Sequence, residues 1–218
     1  MQPAYVFDAY GTLFDVHSAV ARLREEVGPN ADRLSEIWRI KQLQYTWVRS
    51  MSNRYQPFRK LTGDGLDFAI AAVGGIADGV RQKLLDAYMT LDAYPEVVPV
   101  LGALKARGAT LAILTNGSPD MIDAAVQSAG LSDILDGWYS VDEIGIYKPD
   151  PRVYQITLDK LNLQAGQVSF YSSNRWDVAG ATAFGYHANW VNRTHEPDEF
   201  SDLPPEKILN DLNDISKD

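Results

Sequence analysis

The stretch Phe7-Asp8-Ala9-Tyr10-Gly11-Thr12-Leu13-Phe14-Asp15 sets an acidic side chain directly after the apolar run Ala4-Tyr5-Val6-Phe7 and follows it with a glycine-containing loop. A short run with no polar alternation reads as a strand covered on both faces, as in a parallel sheet. Aspartate after such a strand can be an Asx turn and nothing more. It can also be chemistry, because open parallel sheets carry their functional groups beyond the carboxyl ends of their strands. The same pattern recurs at Leu111-Ala112-Ile113-Leu114, Val168-Ser169-Phe170-Tyr171 and His187-Ala188-Asn189-Trp190-Val191, with a weaker fifth run at Trp138-Tyr139-Ser140-Val141. Helical signals fall between the runs. Val97, Leu101 and Leu104 share a stripe before Gly108, and Ser118-Pro119 opens a helix expected to stop at Gly130. Further helices are expected at about 151–162, 177–184 and 205–213. This alternation predicts an α/β fold built on a Rossmann-like, doubly wound parallel sheet.

The second strand does not begin until about residue 109, and the long gap after the first carries several helical patterns instead of one crossover. Ile40, Leu43, Trp47 and Met51 form an apolar stripe at helical spacing, and residues 81–90 form another amphipathic stretch. The chain is therefore expected to divide into an α/β core of residues 1–15 and 94–218 and an inserted helical cap domain of residues 16–93. Ala93-Tyr94-Pro95 is the expected return hinge, and a pocket between cap and sheet the expected reaction chamber.

Composition narrows the function classes. With 218 residues the chain can bury a substantial core, and with no cysteine it can have no disulfide, thiolate metal site or cysteine nucleophile. A net charge of -9 argues against nucleic acid as a partner, and no run of about 18 apolar residues marks a membrane span. The expectation is a mature, soluble, cytoplasmic protein with a small-molecule substrate. His17, His187 and His195 fall outside every motif, which argues against a histidine-assisted triad.

Three more strings fall at the same predicted sheet edge. Thr115-Asn116-Gly117-Ser118 ends the second strand, Lys148-Pro149 precedes a helix, and Ser172-Ser173-Asn174-Arg175-Trp176-Asp177 follows the next strand. Together with the opening aspartate they resemble, in order and over nearly the whole chain, the four motifs of the haloacid dehalogenase (HAD) superfamily, which implies a HAD-like core with Asp8 as the attacking group. Phosphatases of that superfamily carry a second aspartate two residues after the nucleophile and a further acidic magnesium ligand four positions before the Asp177 equivalent. Tyr10 and Ser173 stand at those positions here. An alkoxide leaving group would lack its proton donor, and magnesium would lose a hard ligand, whereas halide departs as a stable anion. The strings Asp8-Ala9-Tyr10-Gly11-Thr12, Trp38-Arg39-Ile40-Lys41-Gln42-Leu43 and Ser172 to Asp177 narrow the resemblance to the L-2-haloacid dehalogenase family.

That resemblance implies hydrolysis of short L-2-haloalkanoic acids to D-2-hydroxyalkanoic acids through an aspartyl ester on Asp8, with no metal or other cofactor, in a homodimer. It assigns Lys148 to hold Asp8 ionised, and Arg39 and Asn116 to the departing halide. Asp177 orients or activates water, and Thr12, Ser172 and Asn174 position water, nucleophile or Lys148. Amides around Ala9, Tyr10, Thr115 and Asn116 are candidates for the substrate carboxylate, with the Thr115 hydroxyl as a further donor. Leu43, one turn beyond Arg39, is assigned with Phe58 and Trp176 to the apolar walls, and Tyr154 to support of the chamber. Ile40 replaces an expected polar residue, so the cap side of the pocket is expected to differ. Each assignment has a plain counterpart: solvated Arg39, exposed Lys148, core-filling Phe58 and ordinary helix packing for Tyr154. A HAD phosphatase of phosphomonoesters, or a binding protein that kept the fold without turnover, are the competing readings.

Overall fold

A computed structural model describes residues 4–217. In chain order the elements are β1 (Ala4–Phe7), α1 (Ser18–Arg22), α2 (Arg24–Val27), α3 (Ala31–Met51), α4 (Phe58–Ala72), α5 (Val80–Met89), α6 (Val97–Ala106), β2 (Thr110–Thr115), α7 (Pro119–Ser128), β3 (Gly137–Ser140), α8 (Pro151–Leu161), β4 (Val168–Ser172), α9 (Arg175–Phe184), β5 (His187–Val191) and β6 (Lys207–Leu209). The strands form one parallel sheet in the order β3-β2-β1-β4-β5-β6. β1 is central, with Val6 beside Ala112 on one side and Phe170 on the other. Val6, Phe7, Ile113, Leu114 and Phe170 are all fully buried, as strands covered on both faces require. The winding reverses between β1 and β4, so the carboxyl ends of β1, β2 and β4 frame one crevice. Asp8, Thr115 and Ser172 stand at those three ends.

Helices α1 to α5 fill the stretch between β1 and α6 and form the expected helical cap. The chain leaves and re-enters the core along paired linkers: Asp15 N donates to Asp92 O at 2.8 Å, and Tyr94 N donates to Leu13 O at 3.0 Å. The cap also touches the core through Arg59 N to Ser118 Oγ at 3.2 Å, Tyr147 N to Ser50 Oγ at 3.1 Å, and a hydrogen bond from the Tyr55 phenol to Asp142.

Two expectations need correction. The apolar stripe on α3 is not its buried seam, since Ile40 is 61% and Met51 81% exposed while Leu34, Trp38, Gln42 and Thr46 are buried. Polar side chains join the seam because they are satisfied there: Gln42 Nε2 donates to Thr62 Oγ1 at 3.1 Å, and Trp38 Nε1 to Thr62 O at 2.8 Å. Residues 205–213 do not form a helix. Lys207–Leu209 instead adds β6 beside β5, with Trp190 opposite Ile208. Pro204-Pro205 favours extended backbone at that point, and the added strand pairs the β5 edge that would otherwise be open.

Gly180, inside α9, marks a close packing contact: a Cβ there would lie 2.5 Å from Pro149 Cβ and 2.5 Å from the Tyr154 hydroxyl. Alanine is the better helix former, yet overpacking outweighs that gain, so Gly180→Ala is expected to cost about 1–3 kcal/mol of stability. Urea unfolding checks this, and an unchanged midpoint would refute the close contact.

Candidate active site

Asp8 is displaced from the β1 ladder by one residue, and its backbone N–H still donates to Tyr171 O at 2.9 Å. The backbone is thus pinned while the carboxylate reaches past the sheet edge. The side chain is 8% exposed. Its Oδ2 accepts from Thr12 Oγ1 at 3.0 Å, from Asn174 Nδ2 at 2.8 Å and from Ser172 Oγ at 3.5 Å. Its Oδ1 faces Lys148 Nζ at 3.2 Å. Thr12 is itself held, because its hydroxyl oxygen accepts from Ser173 N at 2.8 Å.

Lys148 is buried with no exposed side-chain surface, and its Nζ also donates to Asp177 Oδ2 at 2.9 Å. Asn116 anchors the lysine backbone by accepting Lys148 N on Oδ1 at 3.0 Å. Burial opposes the ammonium, but the charges of Asp177 and Asp8 outweigh it and hold the lysine above its ordinary value. For Asp177 the balance goes the other way. Burial, with the negative charge of Asp8 adding to it, lifts this carboxyl to about 6 against the pull of Lys148 and the Tyr154 hydrogen bond. Tyr154 donates to Asp177 Oδ1 at 2.8 Å, so the expected supporting residue touches the acid directly. Asp177 is therefore ionised at neutral pH and takes up a proton under mildly acid conditions.

The cap supplies one cation. Arg39 Nη2 donates to Tyr10 O at 3.1 Å and to Asn174 Oδ1 at 3.0 Å. Because arginine only donates, Asn174 must turn its oxygen to Arg39 and its NH2 to Asp8, and so links the cap to Asp8. Backbone conformation, not space beside Arg39, calls for glycine at position 11. Its φ of +92° suits glycine, and a Cβ there would lie 3.8 Å from Arg39 Nη2. Tyr10 packs against Phe58, whose ring centroid is 5.7 Å away, and stacks on Tyr88 at 5.8 Å.

The remaining predicted residues are distributed around this centre. Ala9 is buried, and its carbonyl accepts from Leu13 N at 2.9 Å, closing the loop after β1. Thr115 Oγ1 accepts from Gly117 N at 3.0 Å, so it also shapes its own turn. Leu43 is half-buried on α3, whereas Ile40 points to solvent and does not change the pocket as expected. Trp176 meets Trp47 edge to face at 5.6 Å. These tryptophans, with Ser50, Met51, Ile146 and Tyr147, line a cavity of about 600 Å³ that reaches Lys148 but does not include Asp8. Three contributors escaped the sequence reading: the Ser173 amide, Tyr88 and Arg193, whose Nη2 donates to Thr12 O at 2.8 Å. Arg193 had a legible signal, for it follows β5 at the same sheet edge; Tyr88, on a cap helix, had none.

A family model described as haloacid dehalogenase-like hydrolase matches residues 3–185. The chain is 46% identical over 213 residues to (S)-2-haloacid dehalogenase 1 of Pseudomonas sp. (strain CBS-3), covering 97% of this chain and 94% of that one. Among solved structures it resembles a dehalogenase with a TM-score of 0.97 and 42% identity, covering 99% of this chain and 96% of the other. It also resembles the L-2-haloacid dehalogenase of Xanthobacter autotrophicus with chloropropionic acid covalently bound, at a TM-score of 0.89 and 31% identity over 100% of this chain and 98% of the other.

Carboxyl-carbon NMR of labelled aspartate should show Asp177 titrating near 6. Tyr154→Phe removes a donor that favours the ionised form and Lys148→Met removes a cation that does so, so both should move this titration upward. A downward shift in either variant would contradict the geometry.

Proposed function

The chain belongs to the haloacid dehalogenase-like hydrolase family, and on that premise we propose that it converts short L-2-haloalkanoic acids to D-2-hydroxyalkanoic acids. The observation that carries this reading is that Tyr10 and Ser173 stand where a phosphatase of this fold carries acids, around an Asp8 that pairs with Lys148 at 3.2 Å. A phosphatase of this fold needs these carboxylates for a divalent ion. Here Ser173 stands in place of a further acidic ligand, and Tyr10 in place of the aspartate that donates a proton, so the donor set does not suit that ion or an alkoxide leaving group. The intact set of nucleophile, cation and base likewise gives no support to a binding protein that has lost turnover.

The proposed reaction has two steps. An Asp8 oxygen attacks the carbon bearing the halogen from the face opposite the halogen. The new carbon–oxygen bond forms as the carbon–halogen bond breaks, the halide leaves with the electron pair, and the centre inverts. Arg39 and Asn116 are the groups proposed to stabilise the departing halide, and the amides around Ala9, Tyr10, Thr115 and Asn116 to hold the substrate carboxylate. Leu43, Phe58 and Trp176 are proposed as apolar walls. In the second step water adds to the aspartyl carbonyl carbon and gives its proton to Asp177. The intermediate then releases the hydroxy acid, which takes up a proton, and Asp8 returns as a carboxylate carrying one oxygen from water. Thr12, Ser172 and Asn174 keep the ester carbonyl and its attacking water aligned.

The cap boundaries are proposed at residues 16 and 93, which set the swing point at the paired linkers. Exposed Ile40, Val48 and Met51 on α3 and Phe68 on α4 support the proposal of a homodimer. No helix among the described residues is long and apolar enough to cross a membrane. The proposed location is the cytoplasm, with a small 2-haloacid, water and halide as the small-molecule partners.

In heavy-oxygen water, the first-turnover product from L-2-chloropropanoate should carry unlabelled oxygen while label enters the peptide containing Asp8. Asp8→Asn should abolish chloride release without loss of fold. Label appearing in the first product would rule out the ester. Hydrolysis of the ester should also fall about tenfold per pH unit below the Asp177 titration near 6, because only the ionised form accepts a proton; a flat acid limb would remove Asp177 from this step. Sedimentation should give a dimer that Met51→Glu dissociates, and a monomeric parent would discard the interface.

A further inference from the structure

Arg193 lies beyond β5, outside every motif, yet it makes three contacts on two other segments of the molecule. Its Nη2 donates to Thr12 O at 2.8 Å. Its guanidinium carbon stands 3.8 Å from the centroid of the Tyr94 ring, on the linker by which the cap returns. Its Nη1 lies 2.6 Å from Glu96 Oε1, just before α6. This last pair is close without hydrogen-bond alignment, so its attraction is that of opposite charges. The two side chains are only 15% and 10% exposed, which reduces solvent screening.

We propose that Arg193 is a positioning residue that locks the nucleophile loop to the cap's return linker, and so fixes both Asp8 and the reach of Arg39. Thr12 is the joint on the loop side. Its carbonyl is held by Arg193, and its hydroxyl donates to Asp8 Oδ2 at 3.0 Å. Tyr94 is the joint on the cap side: its N–H donates to Leu13 O, and its ring lies under the guanidinium. A shift of either joint therefore moves a donor on the nucleophile or tilts the cap that carries Arg39. Only a flat cation with separate donors serves all three contacts together. Lysine supplies the charge without the stacking face or the second N–H group.

The activity arm of the test rests on the dehalogenase reading, and a second arm does not. The chain has no cysteine, so cysteines replacing exposed Gln82 on α5 in the cap and exposed Ile208 in β6 can carry a pair of spin labels. In Arg193→Met, kcat for chloride release from 2-chloropropanoate should fall roughly ten- to a hundredfold with KM near the parent's, since misplacement affects the reacting geometry more than capture. The label–label distance distribution should broaden at a temperature well below unfolding. Arg193→Lys should show a smaller change of the same kind, and it carries the test if Arg193→Met does not fold. An unchanged distance distribution overturns the proposal, as does an unchanged kcat or a rate loss that merely follows the unfolded fraction. If the parent releases no chloride, the dehalogenase reading fails, while the distance measurement still decides whether Arg193 ties the cap linker.

Discussion

An ammonium group shared by two buried carboxylates organises this molecule. Lys148 Nζ lies between Asp8 and Asp177, and none of its side chain is exposed. Taking such ions out of water costs several kcal/mol each, and the cost is offset only when every charge is paired and hydrogen-bonded. One positive and two negative charges leave a net negative centre, so further donors must complete it. Thr12 and Asn174 donate to Asp8, and Tyr154 donates to Asp177. These residues come from the β1 loop, the β4 loop and α8, and each has to arrive within a few tenths of an ångström.

The sheet makes that convergence possible. Parallel strands place all their carboxyl ends on one edge, and the reversal of winding beside β1 leaves a crevice there with no crossover helix in the way. Asn116 then fixes the backbone of Lys148, so the lysine is positioned from the β2 end as well as from its own loop. The division of electrostatic labour follows from this arrangement. Asp8 keeps a sliver of exposure and the larger number of donors, while Asp177 is fully enclosed and pushed up to about 6 by that burial.

The cap is joined to this centre by hydrogen bonds to the backbone and side chains of the motif loops. Arg39 reaches Tyr10 O and Asn174 Oδ1, the latter on the same amide that donates to Asp8. Because the linkers are paired at Leu13 and Tyr94, only a few residues separate the swing point of the cap from the carboxylate. The placement of the cap and that of the Asp8 carboxylate are thus set by neighbouring contacts, and the aromatic packing of Tyr10 between Phe58 and Tyr88 joins them a second time.

Much of this was written in local pattern. Strands buried on both faces announce themselves as apolar runs, and an acidic residue directly after such a run lies at the sheet edge whatever the details of packing, as Asp8 does; Lys148 and Asp177, five or more residues past their strands, stood out only through strings that resemble family motifs. The seam of α3 was not, since it carries polar Gln42 and Thr46, and Gln42 can be buried because Thr62 on α4 partners it, while Thr46 bonds to Leu43 O within its own helix. β6 was missed because a three-residue edge strand exists only through its ladder with β5. Charge placement was equally beyond local reading. That burial would leave Asp177 more basic than an ordinary carboxyl, and that Arg193 would close a contact between β5, Thr12 and Tyr94, depends on distances between segments far apart in the chain, which folding sets and residue order does not contain.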